Sequence, residues 1–221
     1  MEGPRFVLHP QDDLYPKALL ETHHVPKHLY VIGDPGVLTD CLAIVGARKA
    51  STYGLSVAYR FARICASKGI CVVSGGAIGC DSAALKGVVD AGGVGVAVLG
   101  GGCNHVYPGH NVSLFNRLIQ SGGAVVSEHP WDIKPQPWMF RARNRIIAAL
   151  GKATLIVEAG LPSGTFSTAD EALSMSRDVL VIPGAIDSEY SKGCNRLIYQ
   201  GAIPVIDDEV FEYELNRLFN R

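Results

Sequence analysis

The chain has 221 residues, 48% hydrophobic and 19% charged, with a formal net charge of −1. This composition excludes a disordered chain, and the charge excludes a protein held on nucleic acid by bulk positive charge, while leaving room for a local basic patch. The length suits one α/β domain with a sizeable core.

Residues 1–40 read as a Pro-containing lead-in that packs on the core, with a short helix in LYPKALL and a first strand in HLYVIGD. From 41 to 221 short β-rich runs alternate with helical patterns. The predicted strands are LAIVGA (42–47), CVVSGG (71–76), VGVAVLG (94–100), AVVSEH (124–129), ATLIVEA (153–159), VLVIPG (179–184) and AIPVID (202–207). Most are continuously apolar, as strands buried on both faces should be. Between them, TYGLSVAYRFARICASKG places Val57, Phe61, Ile64 and Cys65 on one helical face, with Ser51 or Thr52 as the cap and Gly69 as the stop. Further helices are predicted over 79–91, 111–121, 141–150, 166–176, 192–200 and 208–219. Alternation of this regularity specifies a doubly wound, mostly parallel α/β sheet with helices on both faces.

The six cysteines form no C-x-x-C and no zinc-like pairing with the seven histidines, so they read as buried, reduced thiols, and no metal site is expected. The opening MEGPRFVLHPQDDLYP has no apolar signal core, and no run of about 18 apolar residues spans a bilayer. A soluble cytoplasmic protein is expected.

In a parallel sheet ligands bind outside the carboxyl ends of the strands. The turns predicted there, VGARKAS, SGGAIGCDS with Gly75 and Gly76, LGGGCNHVYPGHN and EAGLPSGTFST among them, are rich in glycine, which lets backbone N–H groups approach a ligand. Several lead into helix starts, which favour anions. The segment FRARNRIIAAL adds Arg141, Arg143 and Arg145 where a helix is predicted to begin. Cations there oppose the helix dipole, so an anion should join them. Asp81 and Glu128 have two readings, as functional acids or as structural groups that cap helices or pair with nearby arginines.

Several chemistries lack their parts. No G-x-G-x-x-G with a following acid, no G-K-[ST] and no G-x-S-x-G is present. A nucleotide phosphoribohydrolase of the LOG type would need P-G-G-x-G-T-x-x-E. Here LPSGTFST has Ser163 at a glycine position and Thr168 at the acidic one, and helical geometry leaves Glu171 as the only substitute carboxylate. A nucleotide-sensing module of related fold is a third class.

VGARKASTYG, SGGAIGCDSAAL, VLGGGCNHVYPGHN, VSEHP, FRARNRIIAAL, SGTFSTADEAL, VIPGA and KGCNRLIYQGAIPV resemble, in this order and over roughly residues 27–207, the motifs of the DprA/Smf DNA-processing proteins. The resemblance implies a Rossmann-like fold without a nucleotide cofactor and without catalysis. It implies binding of single-stranded DNA, homodimerisation, and help in loading the RecA recombinase in natural transformation. It places DNA phosphates against Gly46, Ala47 and Arg48, against Arg143, Asn144 and Arg145, and near Ser163, Gly164 and Thr165, with Gly75 and Gly76 in the same set. Phe140 is either a sequence-tolerant stacking surface or a core residue anchoring a helix start. The chain departs from the family in having Ile78 where arginine is usual, Leu85 near a usual histidine, and Ala47 for a commoner serine. It is also expected to lack, after Arg221, the winged-helix-like module of many members.

Overall fold

The structure is a computed structural model that describes residues 1–220; Arg221, the end of the expected 41–221 domain, lies outside them. The seven apolar runs all become strands: β3 (Cys41–Val45), β4 (Val72–Ser74), β5 (Gly95–Val98), β6 (Ala124–Ser127), β7 (Gly151–Ile156), β8 (Asp178–Val181) and β9 (Ile203–Pro204). They run parallel in the order β6-β5-β4-β3-β7-β8-β9. β9 is the shortest and lies at the sheet edge, where Pro204, which has no N–H, is tolerated.

The lead-in contributes more to the sheet than the expected single strand. β1 (Arg5–Leu8) and β2 (Leu29–Gly33) pair antiparallel, and β2 joins β6 antiparallel, so residues 5–33 extend the same nine-stranded sheet. The LYPKALL segment forms a 3-10 helix, Lys17–Glu21, whose Leu19 is fully buried.

β3 shows why the sheet needs helices on both faces, since all five of its residues are buried. Leu42 and Ile44 face the core formed with α1 (Thr52–Ser67), α2 (Cys80–Asp90), α3 (Val112–Gln120) and α8 (Asp208–Phe219). Ala43 and Val45 face the core on the other side, with α5 (Asn144–Leu150), α6 (Thr165–Ser174) and α7 (Lys192–Tyr199). On the first face Phe61 of α1 stacks on Phe211 of α8 at 4.4 Å between ring centres. Truncating either ring to alanine should cost about 3–5 kcal/mol. Ser51 caps α1 by accepting from the amide of Gly54 at 3.1 Å, and Gly69 takes the left-handed conformation beyond its end.

One boundary moved with consequences. The helix expected over 141–150 is two helices, α4 (Pro137–Ala142) and α5, meeting at Arg143. Pro137 occupies the first turn of α4, where its missing N–H is harmless. Arg141 therefore lies in the last turn of α4, at the end of a helix that favours cations, and not in a first turn that repels them.

Candidate nucleic-acid interface

The strand order reverses between β3 and β7, because the chain leaves β3 for β4 on one side and returns later as β7 on the other. Outside the carboxyl ends of these two strands lies a crevice of about 820 Å³. Its walls are the β3–α1 turn (Gly46 to Lys49), the α4–α5 junction (Phe140, Arg141, Arg143, Asn144) and the turn into α6 (Ser163, Gly164, Thr165). These include nine of the twelve residues expected at the site, and the other three, Arg145, Gly75 and Gly76, do not line it.

The three arginines of FRARNRIIAAL part company here. Arg145 is buried and turned away from the crevice. Its guanidinium grips Glu128 in a fork, with Nη1 to Oε1 at 2.7 Å and Nη2 to Oε2 at 2.5 Å. It also donates to the carbonyls of His24 and Ala142, tying the lead-in, β6 and α5 together. The expectation that Arg145 meets a DNA phosphate is corrected: its anion is Glu128.

Arg143 is also buried, though it forms part of the crevice floor. It donates to the carbonyls of Gly75 and Val98, at the ends of β4 and β5, and faces Asp81 at the start of α2. Asp81 in turn accepts from the amides of Ala77 and Gly46. A Cβ on Gly75 would lie 2.6 Å from both the Arg143 Nη2 and the Asp81 Oδ2, so only glycine admits both charges. Burial pulls Arg143 down to about 10, opposed by Asp81. Burial also pushes the Asp81 carboxyl above its ordinary value, opposed chiefly by Arg143. Of the two readings open for Asp81 and Glu128, partnership with arginines is the one the geometry shows. Gly76, at φ +64°, packs toward Phe115, where a Cβ would sit 2.6 Å from Cζ. Gly75 and Gly76 are thus buried, making room for the Arg143–Asp81 pair and for Phe115, and neither lines the crevice.

The exposed cations are others. Arg48, Lys49 and Arg141 line the crevice and are solvent-exposed. Among the described residues none of them makes an ion pair. The Arg48 guanidinium lies 5.5 Å from the centre of the Phe140 ring. The turn that carries Arg48 is held from beneath: Cys80 donates its amide to the Ala47 carbonyl at 3.2 Å, and a Cβ on Gly46 would meet Cys80 Sγ at 2.7 Å. Glu158, buried at the end of β7, accepts from the Ser51 amide at 2.9 Å and from its hydroxyl at 2.5 Å, fixing the entry to α1. Opposite, Gly164 is exposed with nothing within 4 Å of where a Cβ would stand, and Asn144 donates to the Ser167 hydroxyl at 2.7 Å. Asp170 and Glu189 are the acidic residues of the outer wall.

Lys49 and Arg141 were absent from the expected site set, although each adjoins one of its members in sequence. The carboxylate expected to substitute at the wall of α6 also differs. Asp170 lines the crevice and Glu171 does not, while Thr168 is buried. No group of three or more histidines, cysteines or acids able to hold a metal occurs among the described residues, and none of their helices is long and apolar enough to cross a membrane.

A doubly wound, mostly parallel sheet with exposed, unpaired cations at its switch point defines an α/β protein of the Rossmann-like class. The family model for DNA recombination-mediator protein A matches residues 6–215, and the chain belongs to that family, the DprA/Smf DNA-processing proteins. It is 41% identical to Protein Smf of Escherichia coli K12 over 211 residues, covering 95% of this chain and 56% of that protein. It is 34% identical to the DNA processing protein DprA of Bacillus subtilis 168 over 201 residues, covering 90% of this chain and 67% of the other. The chain thus spans about half the length of the first curated relatives it matches. Among solved structures, DprA of Streptococcus pneumoniae superposes with a TM-score of 0.87 at 33% identity, over 95% of this chain and 74% of that one. DNA processing protein A of Helicobacter pylori, whose structure concerns that protein's single-stranded DNA binding mode, superposes with a TM-score of 0.86 at 28% identity, over 99% and 97%. The molybdenum cofactor carrier protein of Chlamydomonas reinhardtii, at 18% identity and a TM-score of 0.57, shares the fold alone.

Proposed function

We propose that the crevice binds the phosphates of single-stranded DNA with little sequence preference, as a non-catalytic protein that protects exposed or incoming strands and helps load the RecA recombinase in recombination and natural transformation. The observation that carries this reading is the cluster of unpaired Arg48, Lys49 and Arg141 facing the open turn at Gly164 across one crevice. Guanidinium, ammonium and backbone N–H groups meet phosphate oxygens and carry no base code. In this reading Gly46, Ala47, Arg48, Asn144, Ser163, Gly164 and Thr165 contact the strand, and Arg143 and Arg145 hold the frame. Similarity to the Helicobacter pylori protein supports the same ligand. A cytoplasmic homodimer is part of the proposal, by analogy with the family.

Anisotropy titrations with oligo-dT, a matched duplex and thymidine monophosphate at two salt concentrations test it. The single strand should bind best, with log affinity falling by about 0.7 per phosphate neutralised for each decade of salt. Tighter binding of the mononucleotide, or indifference to salt, would overturn it.

A further inference from the structure

Phe140 is the aromatic residue that the sequence offers as a base platform, yet its ring is already occupied. The backbone of Gly100 lies against it, so that a Cβ there would be 3.0 Å from Cδ1, and the Arg48 guanidinium stands 5.5 Å from its centre. Tyr107, from the long loop between β5 and α3, leans on the same ring at 5.5 Å between centres and 56° between planes. Unlike Phe140 it is 59% exposed. Phe140 thus serves as a post with a cation on one side and a largely bare tyrosine on another.

We propose that Tyr107 forms a nucleobase subsite beside the crevice, against its lining residue Phe140, stacking a base of the single strand whose phosphate meets Arg48. The inference rests on the DNA reading given above and assigns the base contact to Tyr107, with Phe140 as its support. Arg48 and Tyr107 both contact the Phe140 ring, each 5.5 Å from its centre, so one strand that crosses this ring meets both. Every base presents a π-face, so a stacking contact of this kind tolerates any sequence. A tyrosine brings a large, rigid ring with few torsions to freeze, which suits it to an exposed contact that forms only with ligand.

The test compares Tyr107→Ala, Tyr107→Leu and Tyr107→Phe by anisotropy on oligo-dT and on a matched abasic deoxyribose-phosphate strand. Alanine and leucine should each weaken oligo-dT binding about tenfold, a typical stacking contribution, and leave the salt slope unchanged. Phenylalanine should stay within about twofold of wild type, and none of the variants should alter binding of the abasic strand. The subsite is refuted if the alanine and leucine variants bind oligo-dT like wild type, or if they lose as much affinity for the abasic strand, which would make Tyr107 a support for the phosphate site. Failure of the wild type to bind oligo-dT at all would instead remove the DNA reading beneath it.

Discussion

Arg145 and Arg48 stand near the same carboxyl edge of the sheet and do opposite work. The Arg145 side chain is 9% exposed and spends its donors on Glu128, His24 and Ala142. Arg48 is exposed, touches the Phe140 ring and makes no ion pair among the described residues. The contrast teaches that a run of arginines beside a glycine-rich edge is not a measure of free positive charge. Each cation must first be debited against the carboxylate that the fold brings to it, and only the remainder is available to a ligand. Arg143, whose carboxylate is Asp81 across Gly75, falls on the structural side of that division while still flooring the site.

The largest effect expected from this contrast is at Arg145. Arg145→Ala leaves Glu128 largely buried without its cation and frees the His24 carbonyl, so unfolding free energy should fall by about 3–5 kcal/mol. Urea denaturation measures this, and a variant as stable as wild type would show that the ion pair is not a tie. Arg143→Ala should come next, at about 3 kcal/mol at neutral pH, because Asp81 then stays buried with no cation facing it. Its pH dependence identifies the cause. The Asp81 pKa in the folded chain lies above the ordinary 3.8, so protonation favours the folded state. The stability that this supplies is complete below about 3.8 and is lost as pH rises through the raised folded value. Removing Arg143 raises that value further, so the deficit of the variant should shrink as pH is lowered from neutral. A deficit constant across that range would exonerate Asp81.

Arg48→Ala should leave the melting temperature where it was and weaken oligo-dT about tenfold, as expected for loss of one charged hydrogen bond. The salt slope should become shallower by about 0.7, the signature of one phosphate released. Loss of stability comparable to that of Arg145→Ala would erase the distinction between the two sites.

The parallel half of the fold was legible because its strands are buried on both faces and so are written as unbroken apolar runs, β3 most plainly. The antiparallel extension was half legible. β1 is four residues, RFVL, with Val7 exposed, and it finds its partner only after 20 intervening residues, a separation that no local pattern encodes. The crevice itself followed from glycine-rich turns at strand ends. The sorting of its arginines did not, because Glu128 and Asp81 reach Arg145 and Arg143 only through the register of β6 and the start of α2. The position of the helix start mattered as much: Pro137 opens a helix four residues before Arg141, and that shift turns an unfavourable first-turn cation into a favourable last-turn one.

The smallest and sharpest test is a matched pair of lysine substitutions. At Arg145 the fork to Glu128 uses two nitrogens in one plane, and the Nε–H reaches a third oxygen, on His24. A lysine ammonium keeps the charge and cannot reproduce that geometry, so Arg145→Lys should forfeit much of what the alanine variant loses. At Arg48 a phosphate needs chiefly a positive charge held over the crevice, and lysine supplies one. What lysine gives up there is the flat contact with Phe140, an exposed cation–π interaction of about 0.5–1 kcal/mol. Arg48→Lys should therefore weaken oligo-dT by only about two- to fivefold, with the salt slope unchanged because the number of phosphates neutralised is the same. A loss as large as that of Arg48→Ala would mean that the guanidinium binds its phosphate through a fork as demanding as that of Arg145, and the line between frame and ligand site would then run through geometry and not through free charge.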